Sequence, residues 1–291
     1  MKKILLVTVV VIAALAMVLS LSACNSRNAK ITVEPCWADS ETLIYTVYDS
    51  NNTVTPAVGT LTVELKANIG DESKTLLYNG EEKTYSSASV RVRESLSQEN
   101  VCHIETTILA SDYTVLATNK IYVDDNLSDG NDSYTLESYH DGNNYVYRIV
   151  YADGNEKSGK IKVGGSNYTD NEFLYYYVRC YKTDSVPSKT KIADPFGDKA
   201  VEVACSNAGS TTVRTEIADV NKKINGTVNC NKVNIRLTDT PTGRGIEVYY
   251  LTDDESNAAG TYGLMSRKFP AKIVENNISY VLNNYEAQSS K

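Results

Sequence analysis

Thr60-Leu61-Thr62-Val63-Glu64-Leu65-Lys66 decides the fold class. Leu61, Val63 and Leu65 alternate with polar residues. Successive side chains of a strand point to opposite sides, so this pattern predicts a half-buried antiparallel strand with an apolar inner face. The same period of two recurs at 30–35, 42–48, 89–93, 101–110 and 114–123. Asn51-Asn52, the stretch from Asn68 to Gly70, and Asn79-Gly80 supply turn chemistry between these runs.

Several short strands at this spacing predict a β-sandwich over 31–123, similar to an immunoglobulin-like or fibronectin-like module. The immunoglobulin hallmarks are missing: Cys36 precedes the second strand, and Trp37 stands beside it instead of on a central strand. Residues 124–132, Asp-Asp-Asn-Leu-Ser-Asp-Gly-Asn-Asp, read as an acidic linker. Strand patterns resume at 134–140 and 145–151 around Asp141-Gly142-Asn143-Asn144, a hairpin loop, and continue at 159–163. A helix is expected near 170–181, capped by Thr169 or Asp170, with Phe173, Leu174, Tyr177, Val178 and Tyr181 on one face. A strand through 174–178 competes with it, and the cap and the i, i+4 pairs favour the helix. Residues 182–198 hold two prolines and read as a long loop. Further strands follow at 200–206, 211–217, 227–237, 245–251, 263–274 and 279–285. The expected class is mostly β: an immunoglobulin-like sandwich, then a larger β-rich α+β domain over 133–291 with one helix.

The N-terminus is Met1-Lys2-Lys3, an apolar run from Ile4 to Leu19, and then Ser20-Leu21-Ser22-Ala23-Cys24. A positive start, an apolar core and small residues before a cleavage point form a secretory signal. Leu21-Ser22-Ala23-Cys24 resembles the lipobox of bacterial lipoproteins. The resemblance implies a signal peptide over 1–23, lipid attachment at Cys24 with acyl chains such as palmitate, and a short tether over 24–30. The rival is an uncleaved membrane anchor, for which the run is shorter than the ~20 residues of a bilayer span. Either way the body is expected outside the cytoplasm, at the cell membrane.

Net charge is −7, which argues against a nucleic-acid partner, since phosphate needs a concentrated basic face. Only 2 histidines are present. His103, in Val101-Cys102-His103-Ile104, reads as outward-facing, because Cys102, Ile104 and Ile108 share the apolar side. His140 reads as a turn residue. No metalloprotease, serine-hydrolase or paired C-x-x-C motif occurs. No catalytic residue, metal ligand or cofactor is therefore assigned. Asp124, Asp125, Asp129 and Asp132 offer oxygens for calcium but depart from the EF-hand template, and Asp253-Asp254-Glu255 reads as a solvated turn.

Five cysteines remain beside Cys24, and Cys36 with Cys102 is the pairing to test first in an exported chain. Fully reduced, buried thiols are the alternative. The 21 tyrosines against 3 phenylalanines and 1 tryptophan are distinctive. Tyr145, Tyr147, Ile149 and Tyr151 form a stripe that reads as buried under the helix. Tyr249 and Tyr250 lie on opposite strand faces, so one of them offers a ligand platform. The expected function is a non-catalytic binding or structural module of the cell envelope, held by its lipid, with a glycan, peptide or envelope-protein partner. The alternative is a hydrolase of envelope or extracellular polymers.

Overall fold

A computed structural model describes residues 37–49, 56–125, 132–164, 168–170, 173–179, 188–219, 224–237, 245–251 and 269–288. The alternating stretches become β1 (Ser40–Tyr48), β2 (Gly59–Ala67), β5 (Ala88–Gln98), β6 (Val101–Ala110) and β7 (Val115–Asp124), with a small hairpin of β3 (Thr75–Tyr78) and β4 (Glu81–Thr84) inserted after β2. Then come β8 (Tyr134–Asp141), β9 (Asn144–Tyr151), β10 (Glu156–Lys162), β11 (Tyr168–Asp170) and helix α1 (Leu174–Arg179). The chain ends in β12 (Ser188–Asp194), β13 (Lys199–Asp219), β14 (Ile224–Leu237), β15 (Gly245–Leu251), β16 (Pro270–Glu275) and β17 (Ile278–Gln288).

Fifteen strands form one sheet, in the order β10-β9-β8-β7-β6-β5-β2-β1-β17-β16-β15-β14-β13-β12-β11. Pairing is antiparallel throughout except between β11 and β12. The expected immunoglobulin-like sandwich over 31–123 is not what these strands build. β1, β2, β5, β6 and β7 are neighbours in the one sheet, and only the β3–β4 hairpin stands apart. Period-two alternation reports that a strand has two unlike faces; it does not report which strand lies beside it. Backbone ladders cross between the early and late strands twice. β7 pairs with β8, with Tyr122 opposite Tyr134, and β1 pairs with β17, with Leu43 opposite Tyr285 and Tyr45 opposite Leu282.

The sheet curls until its ends meet. Tyr147 of β9 donates its hydroxyl to Asp198 Oδ1 at 2.9 Å, and Lys157 Nζ donates to the Phe196 carbonyl at 2.6 Å. The Phe196 ring stands 5.0 Å from Tyr134. Thus the turn between β12 and β13 closes over β8 to β10 through side chains. Gly159, opposite Tyr147 on β10, leaves room for that ring, since a Cβ there would come within 2.8 Å of the hydroxyl.

The concave face holds most of the core, including Leu43, Tyr45, Val63, Tyr145, Tyr147, Ile149 and Tyr285. The stripe from Tyr145 to Ile149 is buried. Interior tyrosines need partners for their hydroxyls. Tyr168 donates to the Val115 carbonyl at 2.7 Å, Tyr250 to the Tyr175 carbonyl at 2.7 Å, and Tyr45 to the Pro270 carbonyl at 3.0 Å. Outside the sheet, β3–β4 covers β6 and β7 with a satellite core of Leu76, Ala88, Ile108 and Ala117. Its Asn79-Gly80 turn has φ of 54° and 78°, the left-handed pair that tight hairpins require.

Helix α1 lies in the concavity, with Phe173, Leu174 and Tyr176 buried. Asp170 Oδ1 accepts the Phe173 N–H at 3.0 Å, so of the two expected caps, Thr169 and Asp170, it is Asp170 that meets the helix start. The side chains of Tyr177 and Val178, and all of Tyr181, lie outside the described residues. The segment 182–198 is not wholly a loop, because β12 occupies Ser188–Asp194. Thr190 and Ile192 are buried on either side of exposed Lys191. That short alternation gains its stability from the long neighbour β13, which a local pattern does not reveal. The stretches 200–206 and 211–217 are parts of the one strand β13, bulged between Asn207 and Ser210.

Candidate functional site

Alternation along three adjacent strands brings a polar group of residues to the inside of the sheet. β5 contributes Glu94 and Gln98, β6 His103, and β7 Lys120 and Tyr122, around apolar Leu61, Leu96 and Val101. Across from them stand Ile273, Glu275, Asn276, Ile278 and Tyr280 of the β16–β17 hairpin, and Tyr175 and Tyr176 of α1 complete the wall. Together they enclose a cavity of about 340 Å³, the size of a small-molecule site. The tight turn at Asn276 and Asn277, with φ of 49° and 72°, sets Asn276 at its edge. A shallower depression of about 320 Å³ adjoins it through Gln98, Val101 and Ile278 and is rimmed by Asp49, Glu99 and Asp124.

His103 therefore faces inward, contrary to expectation. Its side chain is 15% exposed and its Nε2 stands 3.9 Å from Glu94 Oε2. Cys102 is exposed on the other face, and Ile104 is 43% exposed. The apolar pattern misled because Ile108 is buried under the β3–β4 hairpin, on the outer face, while the inner face of β6 carries His103, Glu105 and Thr107. His103 Nε2 makes no hydrogen bond among the described residues.

Beside it a polar chain runs through the interior. Lys120 Nζ lies 3.9 Å from Glu105 Oε2, both deeply buried. Thr107 Oγ1 donates to Glu105 Oε1 at 3.0 Å and lies 3.1 Å from Thr118 Oγ1. Thr118 donates to Asp170 Oδ2, the carboxylate that caps α1. At the other end of the helix, Arg179 Nη1 donates to Glu41 Oε2 at 2.9 Å, with both side chains essentially inaccessible. Glu41 Oε1 also accepts the Ala38 N–H at 2.7 Å. The guanidinium lies over the Phe269 ring at 5.0 Å and Trp37 at 5.8 Å. Tyr175 donates to Glu275 Oε2. Burial holds the Tyr176 phenol well above its ordinary range. α1 is thus pinned at both ends by charged side chains that the sheet supplies.

The remaining candidates lie elsewhere. Tyr250 is buried and bonded to the backbone of α1. Tyr249, on the outer face, donates to Glu247 Oε2 at 2.7 Å, and Lys232 Nζ stands 5.5 Å above its ring. The two rings thus belong to different surfaces. His140 Nε2 meets the Gly164 carbonyl at 3.1 Å at the end of β8. Burial pushes the thiols of Cys205 and Cys230 up to about 12. Cys24, Cys36, Cys180, Asp129 and the 253–255 cluster lie outside the described residues. Among the described residues no three His, Cys, Asp or Glu side chains converge as a metal site, and no helix is long and apolar enough to cross a membrane.

Sequence comparison finds no matching family model and no matching curated protein. Among solved structures, a β-barrel-like protein from Brucella abortus, of a domain of unknown function named DUF1849, superposes with a TM-score of 0.50 at 9% identity, covering 88% of this chain and 100% of that one. This likeness bears on the fold: a large, strongly curved β-sheet. A candidate lipoprotein from Parabacteroides distasonis aligns with a TM-score of 0.28 at 9% identity over 87% of this chain and 100% of its own.

Proposed function

We propose that this chain is a lipid-anchored protein of the bacterial envelope that binds a small molecule or a short peptide segment without transforming it. The carrying observation is the cavity between β5–β7, α1 and the β16–β17 hairpin, where apolar walls and a few convergent polar groups meet. The described lining holds no serine or cysteine, and its hydroxyls are those of Tyr122, Tyr175, Tyr176 and Tyr280. The two carboxylates lining it serve as well to hold a ligand, and no observation favours hydrolysis. The lipobox-like Leu21-Ser22-Ala23-Cys24 supports the anchor and an extracytoplasmic address.

Two experiments test this reading. Alkynyl palmitate fed to cells should label the wild-type chain and fail to label Cys24→Ala, and equal labelling would refute the anchor. For binding, the full chain in detergent is screened by thermal shift against small molecules, blocked peptides and envelope oligosaccharides. Leu96→Trp, which fills the cavity, should remove any shift, while Tyr249→Ala, on the outer face, should leave it. The reverse pattern would move the site to the exterior tyrosine. Release of cleaved products would sink the non-catalytic reading.

A further inference from the structure

Resting on that cavity reading, we propose that the ligand is an organic cation: an ammonium group on an apolar stem, seated between Glu94, His103 and Glu275. The first support is the gap between two acceptors. His103 Nε2 and Glu94 Oε2 face each other at 3.9 Å, too far to bond directly. His103 Nε2 finds no hydrogen bond among the described residues. An ammonium carries three donors and no acceptor, so one such group can bond both atoms at once. In the tautomer with its proton on Nδ1, Nε2 accepts.

The second support is charge. The described groups lining the cavity and the adjoining depression include Glu94 and Glu275 in the first and Asp49, Glu99 and Asp124 in the second. The cation among them, Lys120, faces Glu105 at 3.9 Å. With net charge −7 for the whole chain, the field around these carboxylates attracts cations and repels anions. The third is the wall itself. Leu61, Leu96 and Ile273 offer an apolar bed for a stem, and the tyrosine rings lining the site favour a cation nearby.

The chemistry has two sources, a free small amine or a lysine side chain of a peptide, and the test separates them. The full chain in detergent is titrated calorimetrically with hexylamine, hexanol and hexanoate, which share a stem and differ in their heads, and with blocked Ala-Lys-Ala. Hexylamine or the lysine peptide should bind at least tenfold more tightly than hexanol, with hexanoate weakest. The tighter of the two cations identifies the source. Glu94→Gln and Glu275→Gln keep shape and remove charge. Each should weaken the amine about tenfold and leave hexanol unchanged, with circular dichroism confirming the fold. Hexanol binding as tightly as both cations, or cation affinity untouched in both variants, overturns the cation proposal while the cavity reading stands. Absence of binding by all four compounds overturns both.

Discussion

Arg179, the last residue of the only α-helix among the described residues, and Glu41, on β1, form an ion pair at 2.9 Å in which neither side chain reaches solvent. A charge buried alone is far costlier than a pair, so the helix is locked in the concavity by the penalty for separating them. The Phe269 and Trp37 rings lie 5.0 and 5.8 Å from the guanidinium carbon.

Removing one partner should therefore be severe. Arg179→Met and Glu41→Leu are each expected to lose about 3–5 kcal/mol of stability. The double variant Arg179→Met/Glu41→Leu should lose clearly less than the sum. Urea denaturation arranged as a double-mutant cycle measures this, and additive losses would show that the two groups act independently.

Asp170 joins the helix to the polar chain of the interior, accepting from Phe173 N–H and from Thr118. Asp170→Ala removes both acceptors and should cost about 1–3 kcal/mol. Asp170→Asn, which keeps an acceptor oxygen, should retain part of that. Thr118→Val tests the same contact from the sheet side, and a loss below half a kcal/mol in all three would show that the network is not structural.

The thiols should divide sharply by reactivity. Burial pushes Cys205 and Cys230 up to about 12, and the thiolate is the reactive form. After mild reduction, iodoacetamide at pH 8 is expected to label Cys102, which is exposed, and to reach Cys205 and Cys230 only after denaturation. Peptide mass spectrometry reads each site. The same map made without reduction tests the proposed Cys36–Cys102 pairing.

Alkali should unfold the protein through its tyrosines. Burial, and then the hydrogen bond to Asp198, push the Tyr147 phenol up to about 12 from an ordinary 10.0. The unfolded chain gives up this proton near pH 10 and the folded chain only near pH 12. The contribution is thus complete below pH 10 and is lost as pH rises through that window. Absorbance at 295 nm should lag a free-tyrosine titration and then rise together with loss of the β-sheet circular dichroism signal. Tyr147→Phe should flatten the decline in stability between pH 10 and 12. An unchanged slope would mean that Tyr147 ionises freely in the fold.

Much of the strand content was legible, because alternation is a local property. Thr60 to Lys66, with Leu61, Val63 and Leu65 on one side, lies within β2 and shows that pattern of burial. The turn at Asn79-Gly80 was readable for the same reason, and the helix cap was narrowed to Thr169 or Asp170, since each depends on side chains a few residues apart. The site was less legible. On β6 the apolar residues Ile104 and Ile108 implied an inner face, and the inner face turned out to be the one with His103 and Glu105. No signal within 101–110 discloses that β3–β4 covers the outside.

The sequence by itself determined that the chain is built of strands with short polar turns, that a helix near 170–181 is favoured over a strand, and that Leu21-Ser22-Ala23-Cys24 resembles a lipobox. Each follows from residues within a turn or two of one another, where sterics and hydrogen bonds act directly. Only the tertiary structure decided that β1 pairs with β17, that the sheet curls to bring Asp198 to Tyr147, and that Glu94 and His103 meet Glu275 across a cavity. Backbone ladders are much alike whatever the residues, so partners are chosen by the summed burial of whole faces. That sum exists only once strands far apart in the chain have come together.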